Sequence, residues 1–248
     1  MSYHGYLIDF EVKPAQDLLA WATTTFPGRF GIVTSFQAEG MVLVDMAWRL
    51  DPGVRVITLD TGRLPAETYE IIDTVRTRYQ IQVEMVPPNA TELASMTTRF
   101  GPNLFREQPA LRKVCCQIRK VRPLAEKLTE LSAYAVGLRR QQSETRGHIP
   151  KAQELDGRTK LSPLADWTAA AVWQYLTEHD VPVHPLYAQG YKSIGCGPCT
   201  RAVLPGEDER AGRWWWEPDA VKECGIHFTP EGKMQRQVDV FLDEVLAR

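Results

Sequence analysis

The stretch FGIVTSFQAEGMVLVDMAWRLDPGVRVITLDTGR, residues 30–63, decides the fold. FGIVTS (30–35) is a short β-rich run, residues 39–50 form an apolar helix closed by Asp51-Pro52-Gly53, and VRVITL (54–59) is a second strand of the fully buried type. Working outward, Pro14 opens a helix over 14–26, a position that suits its fixed φ. A helix over 65–79, a third strand over 82–86, a helical period over 114–131, a fourth strand at YAVGL (134–138) and a helix over 168–179 come next. This alternation predicts an α/β protein with a doubly wound, mainly parallel sheet. Ligands of such sheets bind at the C-terminal strand ends, which here carry the loops 35–40, 60–64 and 139–147.

Residues 1–190 are expected to form the α/β unit. Beyond Gly190 the alternation stops. Residues 191–231 are rich in Gly, Pro and Trp, and 233–247 could close the chain as an amphipathic helix. The segment 191–248 therefore reads as a mobile extension of the same domain.

With 248 residues and a net charge of −2, the chain offers nucleic acid no global positive field, so any polyanion site must come from local clustering of Arg and Lys. No apolar run reaches the ~18–20 residues that span a bilayer. The start, MSYHGY, lacks the basic and apolar regions of a signal peptide. Five cysteines in such a chain favour a reducing, cytoplasmic setting and metal or catalytic use rather than disulfides.

Cys115 and Cys116 are adjacent, Cys196 and Cys199 form CGPC, and Cys224 stands alone in KECGIH. Two pairs suffice for one metal site and leave one thiol over. Neighbouring helix residues point about 100° apart, so adjacent thiolates fit two corners of a cubane 4Fe–4S cluster more easily than one small zinc ion. Lys113, Arg119, Lys120 and Arg122 would offset cluster charge. Structural zinc and unligated buried thiols remain the alternatives. Cys224 has Lys222 and His227 nearby, with Arg210 and Arg213 upstream, and a cationic field of this kind raises the thiolate fraction; an inert thiol is the equal alternative.

Ser35, Phe36, Gln37 and Glu39 lie in a strand-to-helix loop that could offer helix N–H groups to an anion, although the P-loop pattern is absent. Leu59, Asp60, Thr61 and Gly62 form a second loop, where Asp suits sugar hydroxyls. Gly137, Arg139, Arg140 and Arg146 put three guanidinium groups into a third. Ordinary capped turns and a solvated charged loop are the plainer readings of the three.

Taken in order, CCQIRK, CGPC, ECGIH, LDTG and GLRRQQSETR resemble the assimilatory sulfonucleotide reductases, the family of adenylylsulfate (APS) and phosphoadenylylsulfate (PAPS) reductases, over residues 28–228. The resemblance implies an adenine nucleotide alpha hydrolase-like fold and one 4Fe–4S cluster per chain on Cys115, Cys116, Cys196 and Cys199. The four cysteines favour APS over PAPS, since cluster-free relatives generally take the 3′-phosphorylated substrate. Adenosine would lie near 59–62 and Gly137. The phosphosulfate would be held by residues 35–39, Lys120, Arg139, Arg140 and Arg146, with Arg210 and Arg213 closing over it, and His227 would also bind substrate. Cys224 would be the nucleophile, with thioredoxin or glutaredoxin as reductant, and a homo-oligomer is compatible. One departure stands out: the family's phosphate loop usually reads S-F-S-[GA]-[ED], and Gln37 replaces its second serine. The rivals are a PAPS or dual-substrate reductase, a nucleotide-binding module with a four-cysteine zinc site and no turnover, and a nucleotide-activating ligase on the same sheet. Against the ligase stands the missing S-G-G-x-D-S loop.

Overall fold

In the computed structural model, which describes residues 9–217, the quoted stretch forms β1 (Phe30–Val33), α2 (Ala38–Leu50) and β2 (Arg55–Leu59), preceded by α1 (Ala15–Thr25). β1 and β2 pair in parallel with Ile32 opposite Val56. The chain continues through α3 (Ala66–Tyr79), β3 (Val83–Val86), α4 (Ala90–Phe100), α5 (Pro109–Cys116), a π-helical turn at Gln117–Val121 and α6 (Arg122–Leu128). β4 (Ala133–Val136), β5 (Ala152–Leu155), β6 (Arg158–Leu161) and α7 (Ala169–Glu178) complete the regular elements.

The sheet runs β3-β2-β1-β4-β6-β5, parallel except for β5 against β6. Chain order reverses across β1 and β4, which opens a crevice at their C-terminal ends. Strand residues alternate between two faces. Ile32, Val56, Ala133 and Ala135 meet α1, α2, α3 and α7 in the main core, whereas Ile57 and Tyr134 face Leu124 and Leu128 of α6. The main core contains a buried carboxylate, Asp45. It accepts from Tyr79 (3.0 Å) and Tyr175 (2.7 Å) and pairs with Arg49, fastening α2 to α3 and α7. A smaller core joins Met96, Leu104, Phe105 and Val114 to Trp214 and four cysteines. Among the described residues no helix is long and apolar enough to cross a membrane.

Three elements depart from expectation. The β5–β6 hairpin turns at Asp156 (φ 50°) and Gly157 (φ 72°), the left-handed pair of a tight two-residue turn. Its strands, AQEL and RTKL, are too polar to announce themselves. α4 starts where the Asn89 side chain accepts from Thr91 and Glu92 backbone N–H groups. The single helical period over 114–131 is two helices joined by the π turn, directly after the cysteine pair. The helix expected over 233–247 lies outside the described residues.

Candidate active site and thiol cavity

A cavity of about 260 Å³ opens at the switch point, between the loops that follow β1, β2 and β4. Gly137 lets the β4 loop touch the start of α2, and Gly40 lets that helix pack onto Thr34 at the end of β1. A Cβ on Gly40 would lie 2.1 Å from Thr34 Oγ1, and one on Gly137 would lie 2.8 Å from Glu39 Cβ. Ser35, Gln37, Glu39, Leu59, Thr61 and Gly137 all line the cavity. Phe36 does not: it is buried in the core at φ 55°, its N–H held by Thr34 Oγ1 at 2.9 Å. Gln37 acts as a strut. Its amide donates to Ser35 Oγ (2.8 Å) and its carbonyl oxygen accepts from Ile194 N–H (2.7 Å), tying the first loop to the segment entering CGPC.

The wall carries four buried cations, Lys120, Arg146, Lys160 and Arg213, with Arg210 beside them. Arg146 is braced by Gln142. Arg213 lies 4.6 Å from the Trp214 ring and is pressed against Gly195, where a Cβ would approach to 2.1 Å. Lys160 is the residue that sequence reasoning missed. It comes from β6, and burial, with Arg146 adding to it, pushes its amine down to about 8. The strand that carries it, RTKL, is too polar to be marked by its pattern, so the sequence held no signal for it.

Two of the three expected arginines do not line this cavity. Arg139 donates to Glu39 at 2.7 Å and lines the neighbouring groove. Arg140 donates to the Ile149 carbonyl (2.9 Å) and to Glu11 (2.6 Å). Their carboxylate partners lie 100 and 129 residues away in sequence, so no local pattern could reveal them. Asp60 is likewise engaged within its own loop, accepting from Gly62 N–H (2.9 Å) and Tyr69 OH (2.8 Å), with Gly62 at φ 67°. Cys224, Lys222 and His227 lie outside the described residues.

Behind this wall, a second, small cavity is lined by Cys115, Cys116, Cys196 and Cys199 together. All four thiols are buried. The sequence brings them from α5 and from a short 3-10 turn, Gly197–Cys199, about 80 residues later. The β2 loop clamps the two halves: Gly197 N–H donates to the Arg63 carbonyl (2.8 Å), Thr61 Oγ1 meets Cys196 Sγ (3.2 Å), and Arg119 donates to the Thr61 carbonyl (2.7 Å). Lys120, Arg213 and Trp214 line both cavities.

Burial alone would raise every thiol here. At Cys196 it is outweighed by Lys120, the Thr61 hydroxyl and Arg213, so that thiol is held below its ordinary value; Cys199, with less help, is pushed up to about 11. Among the described residues, Arg119 Nε, Arg213 Nε and Trp214 Nε1 are buried donors without a hydrogen-bond partner. Orphaned cationic donors around four buried thiols fit a thiolate-ligated, net-negative group occupying the space between them. Among the described residues, no three His, Cys, Asp or Glu side chains are grouped as a site for a metal ion.

A mainly parallel sheet with a cation-lined crevice at its switch point is the architecture of the adenine nucleotide alpha hydrolase-like proteins. Residues 30–202 match the phosphoadenosine phosphosulfate reductase domain, and the chain belongs to that family. It is 48% identical over 198 residues to an adenosine 5′-phosphosulfate reductase of Burkholderia cepacia, covering 79% of each chain. It is 47% identical over 197 residues to that of Allochromatium vinosum, covering 78% of this chain and 77% of the other. Among solved structures, the Candida auris phosphoadenylyl-sulfate reductase in its phosphate complex superposes with a TM-score of 0.65 at 28% identity, covering 77% of this chain and 91% of that one. A Candida glabrata FMN adenylyltransferase (TM-score 0.52, 13% identity; 92% and 81% covered) shares the fold alone.

Proposed function

We propose that this protein is an oxidoreductase that converts adenylylsulfate to sulfite and AMP in assimilatory sulfate reduction. The observation that carries this reading is the shared wall: Lys120 and Arg213 belong at once to the nucleotide cavity and to the four-thiol cavity. The relatives named adenosine 5′-phosphosulfate reductases support the choice of substrate.

In this reaction the adenosine lies along the β2 and β4 loops, and Lys120, Arg146, Lys160 and Arg213 neutralise the phosphosulfate. The Cys224 thiolate attacks the sulfonate sulfur. The S–S bond forms as the sulfur–oxygen bond to phosphate breaks, and AMP leaves with the bonding pair. Cations fixed on the cavity wall stabilise the charge that builds on phosphate, with no reorganisation needed during the step. A dithiol reductant of the thioredoxin or glutaredoxin type then attacks Cys224 Sγ. Sulfite departs with the electron pair, the mixed disulfide resolves, and the reductant ends as a disulfide, having supplied both electrons.

Cys115, Cys116, Cys196 and Cys199 would hold a 4Fe–4S cluster. Bound there, it supplies fixed charge beside Lys120 and a clamp between α5 and the CGPC segment. A reducing cytoplasm is the compartment that keeps all five thiols available.

The test is thioredoxin-dependent sulfite release by anaerobically purified protein, with APS and PAPS compared. Cys224→Ser is expected to abolish release while APS still binds; retained turnover would sink the assignment. Comparable rates with both substrates would make it a dual reductase, a reading favoured by the structural likeness to the Candida auris PAPS enzyme.

A further inference from the structure

Away from the cationic wall, the cavity contains a hydrogen-bond chain that the reaction above does not use. His184 is fully buried and caps the short helix Pro185–Gln189, its Nδ1 accepting from Leu186 N–H at 3.3 Å. Nδ1 therefore carries no proton, and the proton of the neutral ring sits on Nε2. Burial, only partly countered by Glu67, holds the ring neutral, with its pKa pushed down to about 4. Nε2 lies 3.0 Å from Thr68 Oγ1, so the imidazole donates and the hydroxyl oxygen accepts.

This leaves the Thr68 hydroxyl hydrogen to be directed elsewhere. Thr74, Thr97 and Thr177 return theirs to carbonyls four residues back. Thr68 stands in the first turn of α3, makes no such bond among those described, and lines the nucleotide cavity while otherwise buried. Thr58 and Leu59 of β2 and Thr61 and Leu64 of the loop that leads to α3 are uncharged and line the cavity with it. That environment suits a nucleoside rather than a phosphosulfate.

We propose that Thr68 donates a hydrogen bond to an acceptor on the adenosine half of the bound nucleotide, and that His184 is the positioning residue that keeps the hydroxyl turned toward it. The proposal rests on the nucleotide reading above. The same short helix also holds the first loop, since Tyr187 OH accepts from Ala38 N–H at 2.9 Å. One element thus sets the starts of both α2 and α3.

AMP affinity is measured by calorimetry for the wild type, Thr68→Val and Thr68→Ser. Thr68→Val is expected to bind about three- to tenfold more weakly, the size of one neutral hydrogen bond, and Thr68→Ser to restore binding. Equal affinity in Thr68→Val, or equal weakening in both variants, would overturn the proposal. Failure of the wild type to bind AMP would instead overturn the nucleotide reading. A long-range proton–nitrogen spectrum of the wild-type imidazoles needs no variant to fold. His184 is expected as the Nε2–H tautomer, and an Nδ1–H ring would equally overturn the proposal.

Discussion

Lys160 and Gly195 show how single residues set the electrostatics of this cavity. Lys160 is protonated below about 8 and neutral above it. AMP is fully dianionic across that range, so its affinity is expected to fall as pH rises through about 8. In Lys160→Met, AMP binding is expected to be weak already near neutral pH and flat as the pH rises; a wild-type profile retained in the variant would show that another group titrates. Gly195 acts through Arg213. A methyl group there would stand 2.1 Å from a guanidinium nitrogen, and the arginine must leave the wall. Gly195→Ala is expected to lower kcat/KM for APS by roughly a hundredfold, the scale of one lost transition-state donor, with little change in Tm, which separates a displaced cation from a damaged fold. Arginine count was a poor guide at this scale. Arg139 and Arg140 looked like the anion site and are instead spent on Glu39 and Glu11.

At the scale of elements, the π turn at Gln117–Val121 matters most. The extra residue in a π turn rotates the helix beyond it. Cys115 and Cys116 line the thiol cavity, and Lys120, from the turn itself, lines both cavities. The helical period over 114–131 was legible in the sequence, but the turn was not, because its apolar residues Ile118 and Val121 satisfy an ordinary helix as well. The opposite layer depends on Asp45. Asp45→Leu deprives two buried tyrosine hydroxyls of their acceptor, each worth about 1–3 kcal/mol. Its urea midpoint is expected to fall with an unchanged slope, and a change in slope would mean that the compactness of an end state had altered.

Over the whole molecule, the chain brings two segments about 80 residues apart to one small core and then shares that core's cations with the substrate crevice. Arg112 adds a buried ion pair to Glu217 at 2.8 Å and lies 4.4 Å from Trp214, joining α5 to the end of the described chain. With the proposed cluster held there, iron content and nucleotide binding are expected to be coupled. Cys116→Ala is expected to lose iron and inorganic sulfide and, with them, much of its thermal stability. A variant that keeps a full complement would show that Cys116 is not a ligand.

The parallel sheet and the loops of its switch point were determined by the sequence alone, because a buried strand followed by an amphipathic helix is a local pattern of hydrophobicity and turn residues. So was the grouping of the cysteines into two pairs, since chelating spacing is also local. The tertiary structure decided which charged side chains reach the crevice. It withdrew Arg139, Arg140 and Asp60 to partners and supplied Lys160 and Thr68, the latter with His184 behind it, none of which any motif had marked. The physical reason is that a buried charge or hydroxyl is governed by the partners that fold around it, and those partners can lie more than 100 residues away in the chain.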